Sequence, residues 1–280
     1  MILPATYQNG FAPRDGQPLY PSLWKGCVGA WNPGLGPSGL TLRDNSGFGN
    51  DGTLTNGPTF AASQGKYAIT SDGVNDLIKM QNLTACNLGT SDATIVLHAV
   101  LPDTSVFGSI LSKRNNGGVF QQYQLLQGYI NNSFATVTGK MVSCFFYAGG
   151  AIGASQHVYT SADVIDGKPH CIAVSRTNGS IPKIFVDGVE VATTVVGSAT
   201  TNQNGDSSTD PLRLFAGTDS SSFLAMTLSD VRIYNRALSP NEIRTLATRP
   251  GIAYEMAPRR RSSVQVTTNR RRRIIIGGNR

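Results

Sequence analysis

Glutamate is almost missing from this chain, and charged side chains of every kind are scarce. Only 15% of its 280 residues are charged, and the glutamates are Glu190, Glu242 and Glu255. Hydrolysis of a glycosidic bond needs two carboxylates about 5–10 Å apart across a cleft, and no such pair stands out. No serine lies in a nucleophile-elbow motif, and His98, His157 and His170 have no catalytic spacing from a cysteine. We therefore expect no enzymatic activity.

Long apolar runs are also missing. No run approaches the roughly 20 residues that a membrane-spanning helix needs. Residues 1–3 are apolar, but Pro4 interrupts them, and the basic, apolar and small-residue order of a secretion signal is not present. We therefore expect a soluble protein with no membrane partner and no obvious export signal.

Cysteine is limited to four residues that are far apart in the sequence and lack the spacing of metal ligands. Two of them, Cys144 and Cys171, lie in apolar runs that resemble strands (VSCFFY and HCIAV). Free cysteine is among the most often buried residue types. The pattern favours buried free thiols over a disulfide framework.

Glycine, by contrast, is abundant, with 31 residues, and short apolar runs alternate with clusters of Gly, Asn, Asp and Ser. This composition is typical of strands joined by tight turns. No repeat of 20–50 residues is visible, which argues against a solenoid or a propeller. We therefore predict an all-β fold, and one large sandwich rather than two small domains.

Residues 223–246 (FLAMTLSDVRIYNRALSPNEIRTL) contain the strongest local signal. Leu228, Asp230, Arg232 and Tyr234 lie on one predicted face and Val231 and Ile233 on the other, which is the period-two pattern of a strand. Ser239, Pro240 and Glu242 then provide a capping hydroxyl, a proline at the first helical position and a carboxylate three residues after the cap. The sequence therefore predicts a strand followed by a short helix that packs on the sheet.

This strand and helix, DVRIYNRALSPNEI, resemble the closing segment of laminin G-like, concanavalin A-like jelly rolls. Four further motifs appear in the order typical of that family: residues 44–58 (DNSGFGNDGTLTNGP), 71–78 (SDGVNDLI), 166–176 (DGKPHCIAVSR) and 184–192 (IFVDGVEVA). The resemblance implies a two-sheet antiparallel jelly roll over residues 24–248. Bacterial glucanases of similar architecture carry Glu-x-Asp-x-x-Glu on one strand, and this chain has no such pattern.

The loop at residues 44–58 is rich in Gly, Asn and Asp, whose side-chain oxygens can bond the backbone or converge on a cation. In the resembling family this loop often helps hold calcium, which takes 6–8 oxygen ligands. The resemblance implies the ligands Asp44, Asn50 and Asp230. The family usually has two consecutive acids before Val-Arg-Ile-Tyr, whereas Ser229 precedes Asp230 here. A calcium site and a self-contained loop network both remain open.

The ends of the chain differ from its centre. Residues 1–23 have prolines at 4, 13, 18 and 21, which predicts either an extended arm or a disordered leader. Residues 249–280 contain nine arginines and one acid, or +8, so the other 248 residues carry −1 of the total +7. We predict a basic assembly arm at 249–280 that is dispensable for folding. Its clustered arginines are Arg259, Arg260, Arg261, Arg270, Arg271, Arg272 and Arg273.

The basic tail after such a domain resembles the C-terminal tails of jelly-roll proteins in tailed phages and prophages. That resemblance implies a virion structural protein, a decoration or appendage subunit of head or tail that assembles in the host cytoplasm. Its partners would be other virion proteins, copies of itself and, through the lectin-like domain, host-surface glycans. The alternative is a free carbohydrate-binding module. Nucleic-acid binding by the arginines is less favoured, because β-branched residues rather than stacking aromatics lie between them.

Overall fold

Two antiparallel β-sheets form the body of the protein. The computed structural model describes residues 18–63, 66–81, 84–89, 91–113, 122–130, 135–147, 156–178, 180–196, 210–218 and 221–256. The strands are Cys27–Trp31 (β1), Thr41–Leu42 (β2), Gly52–Thr55 (β3), Thr59–Ser63 (β4), Lys66–Thr70 (β5), Leu77–Met80 (β6), Ala93–Val100 (β7), Gly108–Lys113 (β8), Gln122–Ile130 (β9), Thr136–Tyr147 (β10), Gln156–Thr160 (β11), Pro169–Arg176 (β12), Lys183–Val186 (β13), Val189–Glu190 (β14), Thr193–Val196 (β15), Leu212–Leu214 (β16) and Thr227–Tyr234 (β17). Helix α1 spans Pro240–Thr248, and single 3-10 turns lie at Pro21–Trp24, Pro33–Leu35, Thr84–Cys86 and Ile252–Tyr254.

The first sheet has eight strands in the order β14-β13-β12-β7-β17-β5-β4, with β1 also paired to β17. The second sheet has nine strands in the order β15-β11-β10-β9-β8-β16-β6-β3-β2. The pairings within both sheets are antiparallel. The all-β, two-sheet antiparallel sandwich predicted from the sequence is confirmed.

The main core lies between the two sheets and follows the period-two alternation of the strands. On β17, Val231 and Ile233 point into this core, as do Leu97 on β7 and Phe146 on β10. Strand β7 lies between β12 and β17 near the middle of its sheet. Because successive side chains alternate, β17 also presents residues to the outer side of the eight-stranded sheet.

Helix α1 covers that outer side. Ser239 accepts from the Glu242 amide while the Glu242 carboxylate accepts from the Ser239 amide, so the predicted capping box is present. Ile243 and Leu246 are buried in a second apolar cluster with Val96, Ala173 and Tyr234. The predicted strand–helix unit is therefore confirmed, with α1 ending at Thr248. Within the described residues, no helix is long and apolar enough to span a bilayer.

Two segments at the described ends of the chain complete this outer layer. The Leu19 amide donates to the Glu255 carbonyl (2.7 Å), and Pro18 and Met256 form an antiparallel bridge. The Trp24 indole Nε1 donates to the Ala253 carbonyl (2.6 Å). Residues 18–23 and 249–256 thus pack on the body, and the predicted boundaries at residues 24 and 248 fall inside a folded region. Residues 1–17 and 257–280 lie outside the described residues.

We therefore correct the expectation that all of residues 249–280 are dispensable for folding. Removing residues 257–280 should change the melting temperature by less than about 2 °C. Removing 249–280 also deletes buried Ile252 and Ala253 and the half-buried Tyr254, which should cost about 3–6 kcal/mol and lower the melting temperature by about 10 °C. Calorimetry of the two truncations measures the difference. Equal melting temperatures would show that residues 249–256 add nothing to stability.

Candidate functional site

The predicted calcium ligand Asp44 lies in a closed hydrogen-bond network. Its Oδ1 accepts from the amides of Ala30 (3.0 Å) and Ser46 (2.8 Å). Its Oδ2 accepts from the Ser46 hydroxyl (2.7 Å) and the Asn50 amide (2.9 Å). A carboxylate has about four acceptor positions, so these four donors occupy Asp44. The loop closes further through Asn50, whose carbonyl accepts from Trp31 Nε1 and whose Nδ2 donates to the Val28 carbonyl.

The third predicted ligand, Asp230, is engaged elsewhere. Its Oδ2 lies 2.9 Å from Nη2 of Arg232, and its Oδ1 accepts from the Tyr254 hydroxyl (3.2 Å). The structure thus brings Asp44 and Asn50 together but gives Asp230 different partners. Among the described residues, no group of three His, Cys, Asp or Glu side chains could hold a metal ion. This donor set does not fit a shared cation, and it favours the self-contained loop. Calcium binding stays a prediction for experiment.

We expect a chelator to leave the melting temperature of the protein unchanged. Asp44→Ala removes the acceptor of three backbone amides and one hydroxyl, and should lower the free energy of unfolding by about 2–4 kcal/mol. Asp51→Ala is the matched control, because exposed Asp51 accepts one bond, from the Asp44 amide. A melting temperature that falls in chelator for the unchanged protein, but not for Asp44→Ala, would instead support the calcium site.

The predicted assembly residues cannot be placed. Arg259, Arg260, Arg261, Arg270, Arg271, Arg272 and Arg273 lie outside the described residues, as does most of the polar loop at 197–211. The last arginine of the described region, Arg249, forms an ion pair with Glu255 (Nη2 to Oε1, 3.0 Å).

Four rings form a patch on the outer side of the nine-stranded sheet. Phe145 lies between Cys144 and Phe146, and His157 and Tyr159 flank Val158; because these neighbours point into the main core, the rings face outward. Phe145 stacks on His157, with centroids 3.4 Å apart, and Tyr129 stacks on Tyr159 at 4.1 Å and 7°. We name Tyr129, Phe145, His157 and Tyr159 the aromatic patch.

The aromatic patch combines accessible and buried parts. Tyr129 and Tyr159 are half-buried, and the exposed hydroxyls of Ser161 and Thr194 are bonded to each other (2.9 Å) on the neighbouring strands. His157 is 1% exposed, and neither of its ring nitrogens has a hydrogen-bond partner among the described residues. Burial lowers the pKa of His157 to about 3, so the ring is neutral at physiological pH and offers one donor and one acceptor.

A crevice of about 280 Å³ lies on the opposite sheet, beside the C-terminal end of α1. Its lining includes His98, His170, Asp187, Ser229 and Pro250. Burial lowers the pKa of His98 although nearby Asp230 opposes the shift, so His98 is neutral. His170 lies between two carboxylates, with Nδ1 2.8 Å from Asp187 Oδ2 and Nε2 2.8 Å from Asp166 Oδ1.

The four cysteines, Cys27, Cys86, Cys144 and Cys171, are buried free thiols, as the sequence predicted. Burial raises the pKa of Cys27 and of Cys171 to about 12. A thiolate is the nucleophile and metal ligand of cysteine, so these side chains serve packing and not chemistry at neutral pH.

Neither the aromatic patch nor the His170 contacts were predicted from the sequence. His157 and Tyr159 alternate with Val158, which is a usable period-two signal, but Gln156–Thr160 is only five residues long. Asp187 and Gly188 form the turn between β13 and β14, and both residues have positive φ, 51° and 81°. The contact of the Asp187 carboxylate with His170 joins residues 17 positions apart in sequence and leaves no local pattern.

Comparison with known proteins agrees with this geometry. Residues 72–244, more than half of the chain, match the family described as the concanavalin A-like lectin/glucanases superfamily. The chain therefore belongs to that superfamily. No curated protein sequence matches the chain.

Several solved structures with a similar fold are toxin binding domains. The binding domain of Paraclostridial Mosquitocidal Protein 1 is 14% identical, with a TM-score of 0.61, over 80% of this chain and 52% of that one. A structure of botulinum neurotoxin type C, whose cell entry depends on interaction with two ganglioside molecules, is 12% identical, with a TM-score of 0.60, over 81% and 52%. The binding domain of botulinum neurotoxin DC in complex with rat synaptotagmin II is 10% identical, with a TM-score of 0.58, over 81% and 52%. The chain spans about half the length of these structures, and the likeness concerns the fold.

Proposed function

We propose that this protein is a virion structural protein of a tailed phage or prophage that displays a lectin-like jelly roll, with its terminal segments mediating assembly. The main observation behind this proposal is that the described ends of the chain and the aromatic patch lie on opposite sides of the domain. Pro18 and Met256 meet on the outer side of the eight-stranded sheet, whereas the aromatic patch lies on the outer side of the nine-stranded sheet. An anchor on one side and a recognition face on the other suits a displayed domain.

The aromatic patch supports glycan recognition. The apolar faces of sugar rings pack on aromatic side chains, and their hydroxyls need hydrogen-bonding groups nearby. Tyr129 and Tyr159 are stacked and half-buried, and the hydroxyls of Ser161 and Thr194 are exposed beside them. Two ganglioside molecules are needed for cell entry of one protein with a similar fold, which supports a glycan ligand class here.

A glycan array tests this recognition. The unchanged domain should bind a defined set of surface glycans, and Tyr159→Ala should weaken binding at least about tenfold, because it removes an aromatic contact. Tyr67→Ala is the control, since Tyr67 is 45% exposed on β5 of the other sheet. Equal loss in the two variants, or no glycan binding by the folded domain, would contradict a glycan site at the aromatic patch.

The charge distribution supports the assembly role. Residues 257–280 carry eight arginines and no acid, so the first 256 residues have a net charge of −1. Such a segment favours a partner with acidic groups, and its β-branched runs at 264–267 and 274–276 could also add strands to a neighbour.

We expect the chain truncated after residue 256 to fold and still bind glycans, but to lose self-association and incorporation into particles. Light scattering and particle reconstitution on nuclease-treated protein measure this loss. Association of the full chain should weaken at high salt if arginine–carboxylate pairs dominate. Normal assembly of the truncated chain would favour the free carbohydrate-binding module instead. Assembly that is lost on nuclease treatment would point to nucleic acid.

A further inference from the structure

The contacts of His170 fix its protonation state. Nδ1 lies 2.8 Å from a carboxylate oxygen of Asp187, and Nε2 lies 2.8 Å from a carboxylate oxygen of Asp166. An ionised carboxylate only accepts hydrogen bonds, and a neutral imidazole has only one N–H to donate. Both contacts are satisfied together only by the doubly protonated imidazolium, so His170 carries a positive charge in this arrangement.

The imidazolium joins two separate turns. Asp166, just before β12, is also held by Lys168, whose amide donates to Oδ1 (3.0 Å) and whose Nζ lies 2.6 Å from Oδ2. Asp187 begins the β13–β14 turn, and its Oδ1 accepts from the Cys171 amide (2.9 Å). Loss of the His170 proton would turn one ring nitrogen into an acceptor that faces a carboxylate, so this contact becomes repulsive and the link between the two turns is lost.

The β13–β14 turn contacts helix α1. A Cβ added to Gly188 would lie 2.8 Å from the Cα of Arg244 and 3.2 Å from the Cβ of Ala247, so the turn and the helix are in direct contact. The same turn supplies Asp187 to the lining of the 280 Å³ crevice, opposite Ala247 and Pro250. A shift of the β13–β14 turn therefore changes both the width of the crevice and the position of α1 on the sheet.

We propose that His170 is a proton-operated latch, which holds the β13–β14 turn against α1 while it is protonated and releases the turn when it loses its proton. In the latched arrangement the crevice between α1 and the eight-stranded sheet measures about 280 Å³, and release of the turn changes its width. The latch is independent of the proposed glycan site, which lies on the other sheet.

The surrounding charges fit this latch. Burial lowers the pKa of His170, but the hydrogen bonds and charges of Asp187 and Asp166 outweigh burial and raise it overall. The hydrogen bonds from Lys168 and His170 hold the pKa of Asp166 below its ordinary range. Among the described residues, the charged or titratable groups near the latch include Asp166, Lys168, Asp103, Cys171, Asp187, His98 and Arg244. Among them, His98 stays neutral, because burial lowers its pKa.

The stability that the His170 contacts contribute depends on pH. A histidine whose pKa is raised on folding contributes its full stability below the unfolded value of about 6.5, and this contribution disappears as the pH rises through the folded pKa. The latch is therefore closed in mildly acidic solution and opens as the pH rises through the folded pKa.

NMR titration of the full-length protein tests the latch. The His170 ring signal, assigned by its loss in His170→Gln, should titrate above the ordinary value of about 6.5. The amide signals of Gly188 and Arg244 should shift with the same midpoint. Exchange of the Asp187 amide, which donates to the Cys171 carbonyl (2.8 Å), should become at least about tenfold faster above that midpoint, after correction for intrinsic exchange.

Two variants and a control test whether the two carboxylates raise the His170 midpoint. Asp187→Asn keeps the shape of the side chain and tolerates the positive φ at this position, and Asp166→Asn removes the other carboxylate. Each should lower the His170 midpoint, whereas His98→Gln in the same crevice should leave it unchanged. A His170 midpoint at or below the ordinary value would overturn the proposal. So would a raised midpoint that the signals of Gly188, Arg244 and the Asp187 amide do not follow.

Discussion

The ion pair between Asp230 and Arg232 is the constraint on which the outer layer of this protein depends. The two side chains are 8% and 2% exposed, with Nη2 and Oδ2 2.9 Å apart. Burial of two charges costs several kcal/mol per ion unless the pair is close and well supported. Support comes from the Tyr254 hydroxyl, which donates to Asp230, and from the Tyr254 ring, 4.7 Å from the guanidinium carbon. Trp24 lies 5.9 Å from the same carbon. Residues 18–24 and 251–256 must therefore stay in place to keep water from the pair.

The same strand, β17, also organises the main core. Its inward residues Val231 and Ile233 lie between the sheets, and its backbone pairs with β7 on one side and with β1 and β5 on the other. One strand thus connects the core, helix α1 and the meeting point of the described ends. Because these ends lie over β17, they are on the side of the molecule away from the nine-stranded sheet. Alternate residues of β17 face the main core and the outer layer, so the described ends lie on the opposite side of the domain from the aromatic patch. This arrangement supports the proposed display of the domain.

The sequence was informative where the signal is local. The alternation in residues 230–234 and the Ser239 capping box predicted β17 and α1, and the motif order predicted the sandwich. Leu228 was predicted on the face of Asp230, but a β-bulge between these two residues turns it into the main core. Contacts between distant segments left no such signal: the Trp24–Ala253 hydrogen bond joins residues 229 positions apart. The contact between Asp230 and Arg232 is an exception, because the period-two pattern already places these two residues on the same face of the strand. That neighbour is a usable signal for an ion pair, but the family resemblance implied a metal ligand and the ion pair was not predicted.

The net positive charge of this chain lies in residues 257–280. Glu255 is the only acid among residues 249–280, and it is paired with Arg249 inside the folded region. The eight arginines at 257–280 therefore have no acidic partner within their own segment, and the remaining 256 residues carry only −1. A body so close to neutral offers little long-range attraction for eight arginines, and exposed charges are screened beyond about 8 Å at physiological salt. This charge pattern favours a partner that supplies acidic groups. The proposed assembly role requires such a partner, whereas a free lectin does not.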